Sequence, residues 1–358
     1  MNRNTLIIFA AITLTVVMTA IVVVSQQRPP TYLEKESLLP ELIEHINDAA
    51  SITLQSHRHQ TVLERDGEKW TIASSDHYPA LFDKVRALLI DLGELRTLER
   101  KTGNPDLYHR LDVRDPSQPD SNSVQVTVRD DSGNVLADVI IGKPRVSRAT
   151  NIQTGLYVRM PDARHALLVE GRVPVSAKKT EWFNTDIVDI SSARVREVII
   201  RHPAGDTVRA ERDQPDDNFH LADLLPDRQV QSQTAVNKFG SVLQEISARD
   251  VRSLETFEFP ESTVTTEITT FDGLIAEVRS ARVDDKAYAN FRFRFDPEHA
   301  SESTSPVTGE DDQPLSVKDQ AERLQRELGD WVYQIPGFKF EVLTATLADY
   351  TRRVSGTD

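Results

Sequence analysis

Residues 5–24 read TLIIFAAITLTVVMTAIVVV, a run with no charge, no Gly and no Pro. A hydrocarbon core about 30 Å thick is crossed by about 20 helical residues, so this stretch has the length of one membrane span. Thr5, Thr13, Thr15 and Thr19 fit such a helix, because a helical Thr returns its hydroxyl to the preceding turn. Arg3 lies before the run, and Arg28 and Pro29-Pro30 lie after it. A short basic leader with no domain ahead of it favours a cytoplasmic N-terminus and an exported remainder. The rival reading is a cleaved signal peptide, with Val23 and Ser25 as the small residues before a cut at Gln26. The apolar region of such a peptide usually spans about 7–15 residues, fewer than are present here. The expectation is an anchor over residues 1–28.

Beyond the anchor the chain is acidic. The 358 residues together have a net charge of −14, and residues 1–28 contain no acid, so the remainder is more negative still. Such a surface repels nucleic acid and anionic lipid headgroups. There is no cysteine, which excludes disulfides, thiol catalysis, thiolate metal sites and a lipidated N-terminal Cys. At about 100–200 residues per domain the length suggests two domains.

Residues 29–50 read as a juxtamembrane helix, with Leu38, Leu39, Leu42, Ile43 and Ile46 at helical spacing and Ser37 as its cap. Strands are expected at 51–57, 61–65 and 69–73, with a hairpin turn at Asp66-Gly67. An amphipathic helix over 79–98 carries Leu81, Val85, Leu88, Leu89, Leu92 and Leu95. Strands at 124–128 and 135–141 flank Asp131-Ser132-Gly133-Asn134, and the sheet continues through 155–159 and 166–169.

The same order then recurs. Strands at 195–201 and 207–212, Phe219-His220-Leu221 in the place of Trp70-Thr71-Ile72, a helix carrying Val236, Phe239, Leu243 and Ile246, and strands at 263–270 and 274–283 repeat the first set. Trp182 and Trp331 are spaced like Trp70 and Phe219. The fold expected is α+β: an N-terminal single transmembrane helix, then two tandem copies of a mainly antiparallel sheet-plus-helix unit, over 51–192 and 193–358. Residues 296–314 lack apolar periodicity and read as a mobile loop. A helix with Val317, Ala321, Leu324 and Leu328 ends at Gly329, and a last helical stripe runs through Phe340, Leu343, Leu347 and Tyr350.

Candidate chemistry is sparse. His57 and His59 would share a face if their segment were a strand, as a metal pair requires, but Arg58 separates them and spacing gives no third ligand. Asp130-Asp131, Asp216-Asp217, Asp284-Asp285 and Asp311-Asp312 each fall at an expected turn or loop, where Asp bonds to its own backbone. No G-x-S-x-G elbow is present. Gly142-Lys143 lacks the earlier Gly of a phosphate-binding loop. The three tryptophans read as core. No metal, cofactor or catalytic residue is assigned.

Three stretches carry a resemblance. They are Leu39-Pro40-Glu41-Leu42 with Ile46-Asn47, then Trp70 with Tyr78-Pro79-Ala80, and most specifically Lys101-Thr102-Gly103-Asn104-Pro105-Asp106-Leu107-Tyr108-His109-Arg110-Leu111-Asp112-Val113. Together they resemble the bacterial family of domain of unknown function 4340, over nearly the whole exported chain. That family commonly has Gly where this chain has Asp112. The resemblance implies a single-span envelope protein; with the orientation the leader favours, it would sit in the bacterial inner membrane, N-terminus cytoplasmic and bulk periplasmic. It also implies company with Gld-type ABC transporter components, including an ABC permease and a GldG-like protein. The function expected is that of a non-enzymatic accessory or scaffold subunit. A periplasmic module binding a glycan or peptide is the alternative, and an envelope hydrolase stands behind both. The polar 101–116 loop is the expected partner contact, through Lys101, Thr102, Asn104, Pro105 and Tyr108.

Overall fold

A computed structural model describes residues 36–147, 152–222, 224, 226–300, 307–308 and 314–353. The apolar run 5–24 lies outside the described residues. Among those described, no helix is long and apolar enough to cross a membrane.

In chain order the strands of the first half are β1 (Ala49–Gln55), β2 (Gln60–Asp66), β3 (Lys69–Ile72), β4 (Tyr78–Pro79), β5 (Arg96–Arg100), β6 (Val124–Asp130), β7 (Val135–Val146), β8 (Gln153–Arg159) and β9 (Leu167–Glu170). Those of the second half are β10 (Asp186–Val188), β11 (Val195–Arg201), β12 (Thr207–Glu211), β13 (His220–Leu221), β14 (Arg228–Val230), β15 (Ile246–Ser247), β16 (Asp250–Ser253), β17 (Val264–Thr270), β18 (Asp272–Val283), β19 (Lys286–Ala300), β20 (Val307–Thr308), β21 (Pro314–Leu315), β22 (Trp331–Gln334) and β23 (Thr351–Arg353). The helices are α1 (Pro40–Glu44), α2 (Phe82–Gly93), α3 (Gln233–Val236), α4 (Val317–Leu328), α5 (Gly337–Leu343) and α6 (Leu347–Tyr350). The fold class is α+β, mainly antiparallel sheet with some helices.

The chain forms two compact units. One takes it to Glu68 and again from Phe82 to Lys178; the other takes Lys69–Leu81 and everything from Lys179 on. The sequence pattern instead divides the chain at 192/193 and keeps 69–81 with the first unit.

In the first unit antiparallel strands run in the order β2-β1-β6-β7-β8-β9-β5. Alternation sets the buried face: Ile52 lies opposite Leu63 and Val128, and Leu54 opposite Thr61 and Val126, all fully buried. Thr61 is accommodated because its hydroxyl donates to the Ala177 carbonyl at 2.9 Å, leaving no orphan polar group. Helix α2 buries Val85, Leu88, Leu89 and Leu92, four of the six residues of the expected stripe; the helix is shorter than the expected 79–98, so Leu81 precedes it and is exposed, and Leu95 follows it, buried, ahead of β5.

In the second unit the order is β13-β12-β11-β17-β18-β19-β22-β16. From β12 to β16 it reproduces the order of the first unit strand for strand. The irregularities recur too. The register of β1 on β6 shifts between Ala49 and Ser51, and that of β11 on β17 between Val195 and Glu197. Each bulge follows a short 3-10 turn, Ile46–Asp48 and Ser192–Arg194. The segment 69–81 joins this unit through Ser75, whose hydroxyl donates to Asp250 at 3.4 Å, and Asp76, which accepts from the Ser253 amide at 2.9 Å. Tyr78 stands edge-on to Trp331 at 4.8 Å between centroids.

Several expected elements take another form. Of the expected 29–50 helix, residues 29–35 lie outside the described residues, and from 36 on only α1 is α-helical, because Glu36 and Leu38 pair instead with Thr97 and Leu95 beside β5. Ser37 sits in a bridge to Arg96 rather than in a cap. The helix through Val236 and Ile246 is only α3, continued as a 3-10 turn over Asn237–Ser241. Asn, Gly and Ser are poor helix formers, and the Asn237 side chain is taken up by the Phe219 amide at 3.0 Å. Strand β19 runs on to Ala300, into the stretch read as a mobile loop; 301–306 and 309–313 lie outside the described residues. The last stripe is split into α5 and α6, the second opened by a Thr346/Asp349 capping box. Trp182 follows a 3-10 turn whereas Trp331 opens β22, and the strand corresponding to β22 in the sheet order is β9, so those two tryptophans are not equivalents.

Candidate functional site

The 101–116 segment is built rather than loose. Lys101 and Thr102 extend the edge after β5 and clasp Ala166: the Lys101 amide donates to the Ala166 carbonyl at 2.7 Å, and the Ala166 amide to the Thr102 carbonyl at 3.0 Å. Gly103 lies against the exposed His165 ring, which would have to move aside for a Cβ at 2.9 Å. Asn104 then caps a 3-10 turn over Pro105–Arg110. Its side chain accepts from the Asp106 amide at 3.1 Å, with Pro105 at the first position, where a missing N–H costs nothing.

Tyr108 is buried and donates its hydroxyl to the Arg164 carbonyl. With Val113 and Ala166 it forms a small apolar cluster, against which Leu111 and Tyr157 pack. Over its ring stands the Arg159 guanidinium, 4.9 Å from the centroid. Arg159 is buried and donates to the carbonyls of Val113 at 3.0 Å and Pro161 at 2.8 Å. At Asp112 the chain turns through φ +55°, the left-handed region that Gly adopts without strain and Asp tolerates. A Cβ on Gly142 would overlap the Leu111 carbonyl oxygen. That close approach lets the Lys143 amide donate to the same oxygen at 3.1 Å.

Of the five residues expected to contact a partner, Tyr108 is enclosed, and Lys101 pairs with Glu99 at 2.7 Å. The Thr102 hydroxyl accepts from the Asn104 amide at 3.1 Å. Asn104 and Pro105 are exposed, as are His109 and Arg110. Arg159, Arg164, His165 and Gly142 are the residues that sequence reasoning missed. Each is brought to the loop by β7, the end of β8 or the β8–β9 connection, a pairing that no local spacing announces.

Beyond the turn the wall continues. The Asp115 carboxylate accepts from the Ser117 amide at 2.9 Å and hydroxyl at 2.7 Å. Those two bonds hold its carboxyl below the usual range. Ser121 and Ser123 share a 2.8 Å bond, and Ser123 donates to the Arg114 carbonyl at 2.7 Å.

His57, Arg58 and His59 do not alternate along a strand. β1 ends at Gln55 and β2 starts at Gln60, so the three form the hairpin turn, closed by the Ser56 amide on the His59 carbonyl at 2.8 Å. The acidic pairs lie in turns. Asp284 and Asp285 both have positive φ between β18 and β19, the two-residue hairpin geometry that matches strand twist. Asp130 accepts from the Asn134 amide at 2.8 Å, and Asp217 from the Gln214 amide at 3.0 Å. Asp311-Asp312 lies outside the described residues. Among the described residues no group of three or more His, Asp or Glu is placed to hold a metal ion.

A family model described as Domain of unknown function (DUF4340) matches residues 70–269. The match takes in Trp70, Tyr78-Pro79-Ala80 and the 101–113 stretch, and it leaves out Leu39–Asn47 and the chain beyond 269. No curated protein and no solved structure matches the chain.

Proposed function

From the premise that the chain belongs to the DUF4340 family, we propose that it is a membrane-anchored, non-enzymatic accessory subunit of an envelope complex. The observation that carries this reading is the uncharged run 5–24, long enough to span a bilayer, ahead of two repeated sheet units. Residues 5–24 hold the protein in the inner membrane with its N-terminus in the cytoplasm, and both units lie in the periplasm. The companions are components of an ABC-type, Gld-like transporter: a permease and a large GldG-like protein. The exposed edge of the 101–116 loop, with Asn104, Pro105, His109 and Arg110, is the surface offered to them. Its rigid backing by Arg159 and Tyr108 supports this, since a preformed surface loses little conformational entropy on binding.

The test is affinity purification of the full-length protein from membranes in mild detergent, with companions identified by mass spectrometry. Recovery of a permease or a GldG-like protein is expected, and Asn104→Asp/Arg110→Glu is expected to lower that recovery. Recovery of the protein alone in good yield would overturn the reading.

A further inference from the structure

In a chain of net charge −14, one cleft of the first unit gathers cations. It has a volume of about 660 Å³, and its walls are the β1–β2 turn, the 119–124 segment and Lys178. His57, Arg58 and His59 come from the turn. None of these three side chains, nor that of Lys178, makes a hydrogen bond or ion pair among the described residues, and all four are exposed. The rest of the lining differs. Ser56 closes its own turn with the His59 amide at 3.1 Å. Ser121 and Ser123 are bonded to each other, and Asn122 donates to Asp112 at 3.4 Å. The wall is therefore tied to the motif-bearing loop, while the basic groups that share the lining are exposed and carry no partner among the described residues. Asp120 is the one acid in the lining.

We propose that this cleft is a binding site for a phosphoryl group. The lining brings a guanidinium, an ammonium and two imidazoles into one cleft, donor groups of the kind a phosphoryl oxyanion takes. The volume lies within the range of about 300–1,000 Å³ typical of small-ligand sites. The lining is polar rather than aromatic, which selects a charged group over an apolar one. The phosphoryl group comes either from a soluble phosphate or from a lipid headgroup. The site does not depend on the accessory role proposed above, and either reading can fail without the other.

The experiment is calorimetric titration of the full-length protein in uncharged detergent, with inorganic pyrophosphate in one arm and short-chain, monomeric phosphatidic acid in the other. Saturable binding in at least one arm is expected, weakened tenfold or more in Arg58→Ala/Lys178→Ala. Asp120→Asn is expected to tighten it, since it removes the one opposing charge. Binding in the first arm alone identifies a soluble ligand, in the second alone a headgroup, and in both the shared phosphoryl chemistry. Arg58→Lys/Lys178→Arg keeps the charges and is expected to retain most of the affinity. No binding in either arm, or binding unchanged in the alanine variant with its melting temperature preserved, would overturn the proposal.

Discussion

Asp112 is where one side chain meets a backbone demand directly. Its φ of +55° costs a β-branched residue about 1–2 kcal/mol and costs Gly nothing. Asp112→Gly should therefore leave the melting temperature unchanged or raise it, while Asp112→Val lowers it. Equal melting temperatures for the two variants would contradict the turn geometry. Three residues on, Asp115 gives the loop an acid-sensitive tie. The two bonds from Ser117 favour the carboxylate and depress the folded value below the ordinary 3.8. As pH falls the unfolded chain takes up its proton first, so the contribution to stability is present above pH 3.8 and is lost as pH falls through the folded value. Urea midpoints compared at about pH 5 and pH 3 should fall less for Asp115→Asn than for the parent. An identical fall would remove Asp115 from the acid response.

Among the elements, those fixed by short-range chemistry are legible in the sequence. The Asp66-Gly67 and Gly133-Asn134 turns are present, with Gly67 at φ +60° and Gly133 at φ +84°. Helix α2 shows the middle of its expected apolar stripe, from Val85 to Leu92, and α4 starts on Ser316 and ends against Gly329. The elements that take another form are decided at long range. The 36–38 segment has a helical pattern, but β5 offers it an open edge. The Val236–Ile246 stripe is apolar at the right spacing, yet Asn237 and Gly240 serve Phe219 rather than a helix. The candidate loop is recognisable by its residues, whereas Arg159 and Gly142, which shape it, come from strands paired over tens of residues. The β17–β18 turn shows the same dependence. Arg194 donates to Asp272 at 2.7 Å and to Gln320 of α4 at 2.9 Å, and Asp272 is only 2% exposed in its side chain. Removing one partner of a buried pair strands the other, at about 3–5 kcal/mol. Asp272→Asn is expected to lose stability on that scale in chemical denaturation, and Asp272→Asn/Arg194→Met to recover part of it. A loss below about 1 kcal/mol, the range of a surface pair, would contradict the burial argument.

At the scale of the whole molecule, repetition is the main organising fact. The two units share strand order from β12 to β16 and a bulge at the matching strand, although few of their residues coincide. The repeat is legible in the sequence through element order, because turn chemistry and alternation survive changes of side chain. The place of Lys69–Leu81 in the second unit is not, since it depends on Asp250, Ser253 and Trp331, far along the chain. As proposed, residues 5–24 anchor the protein and leave both units outside the cytoplasm. A chain without cysteine makes this directly measurable. A single Cys placed at Asp131, in the exposed β6–β7 turn of the first unit, or at Asp284, in the β18–β19 turn of the second, is exposed to a membrane-impermeant maleimide in cells with a permeabilised outer membrane. With the proposed anchor, both positions label in intact spheroplasts and the protein stays in the pellet after alkaline extraction. Labelling only after the inner membrane is broken, or release of the protein by alkali, would contradict it.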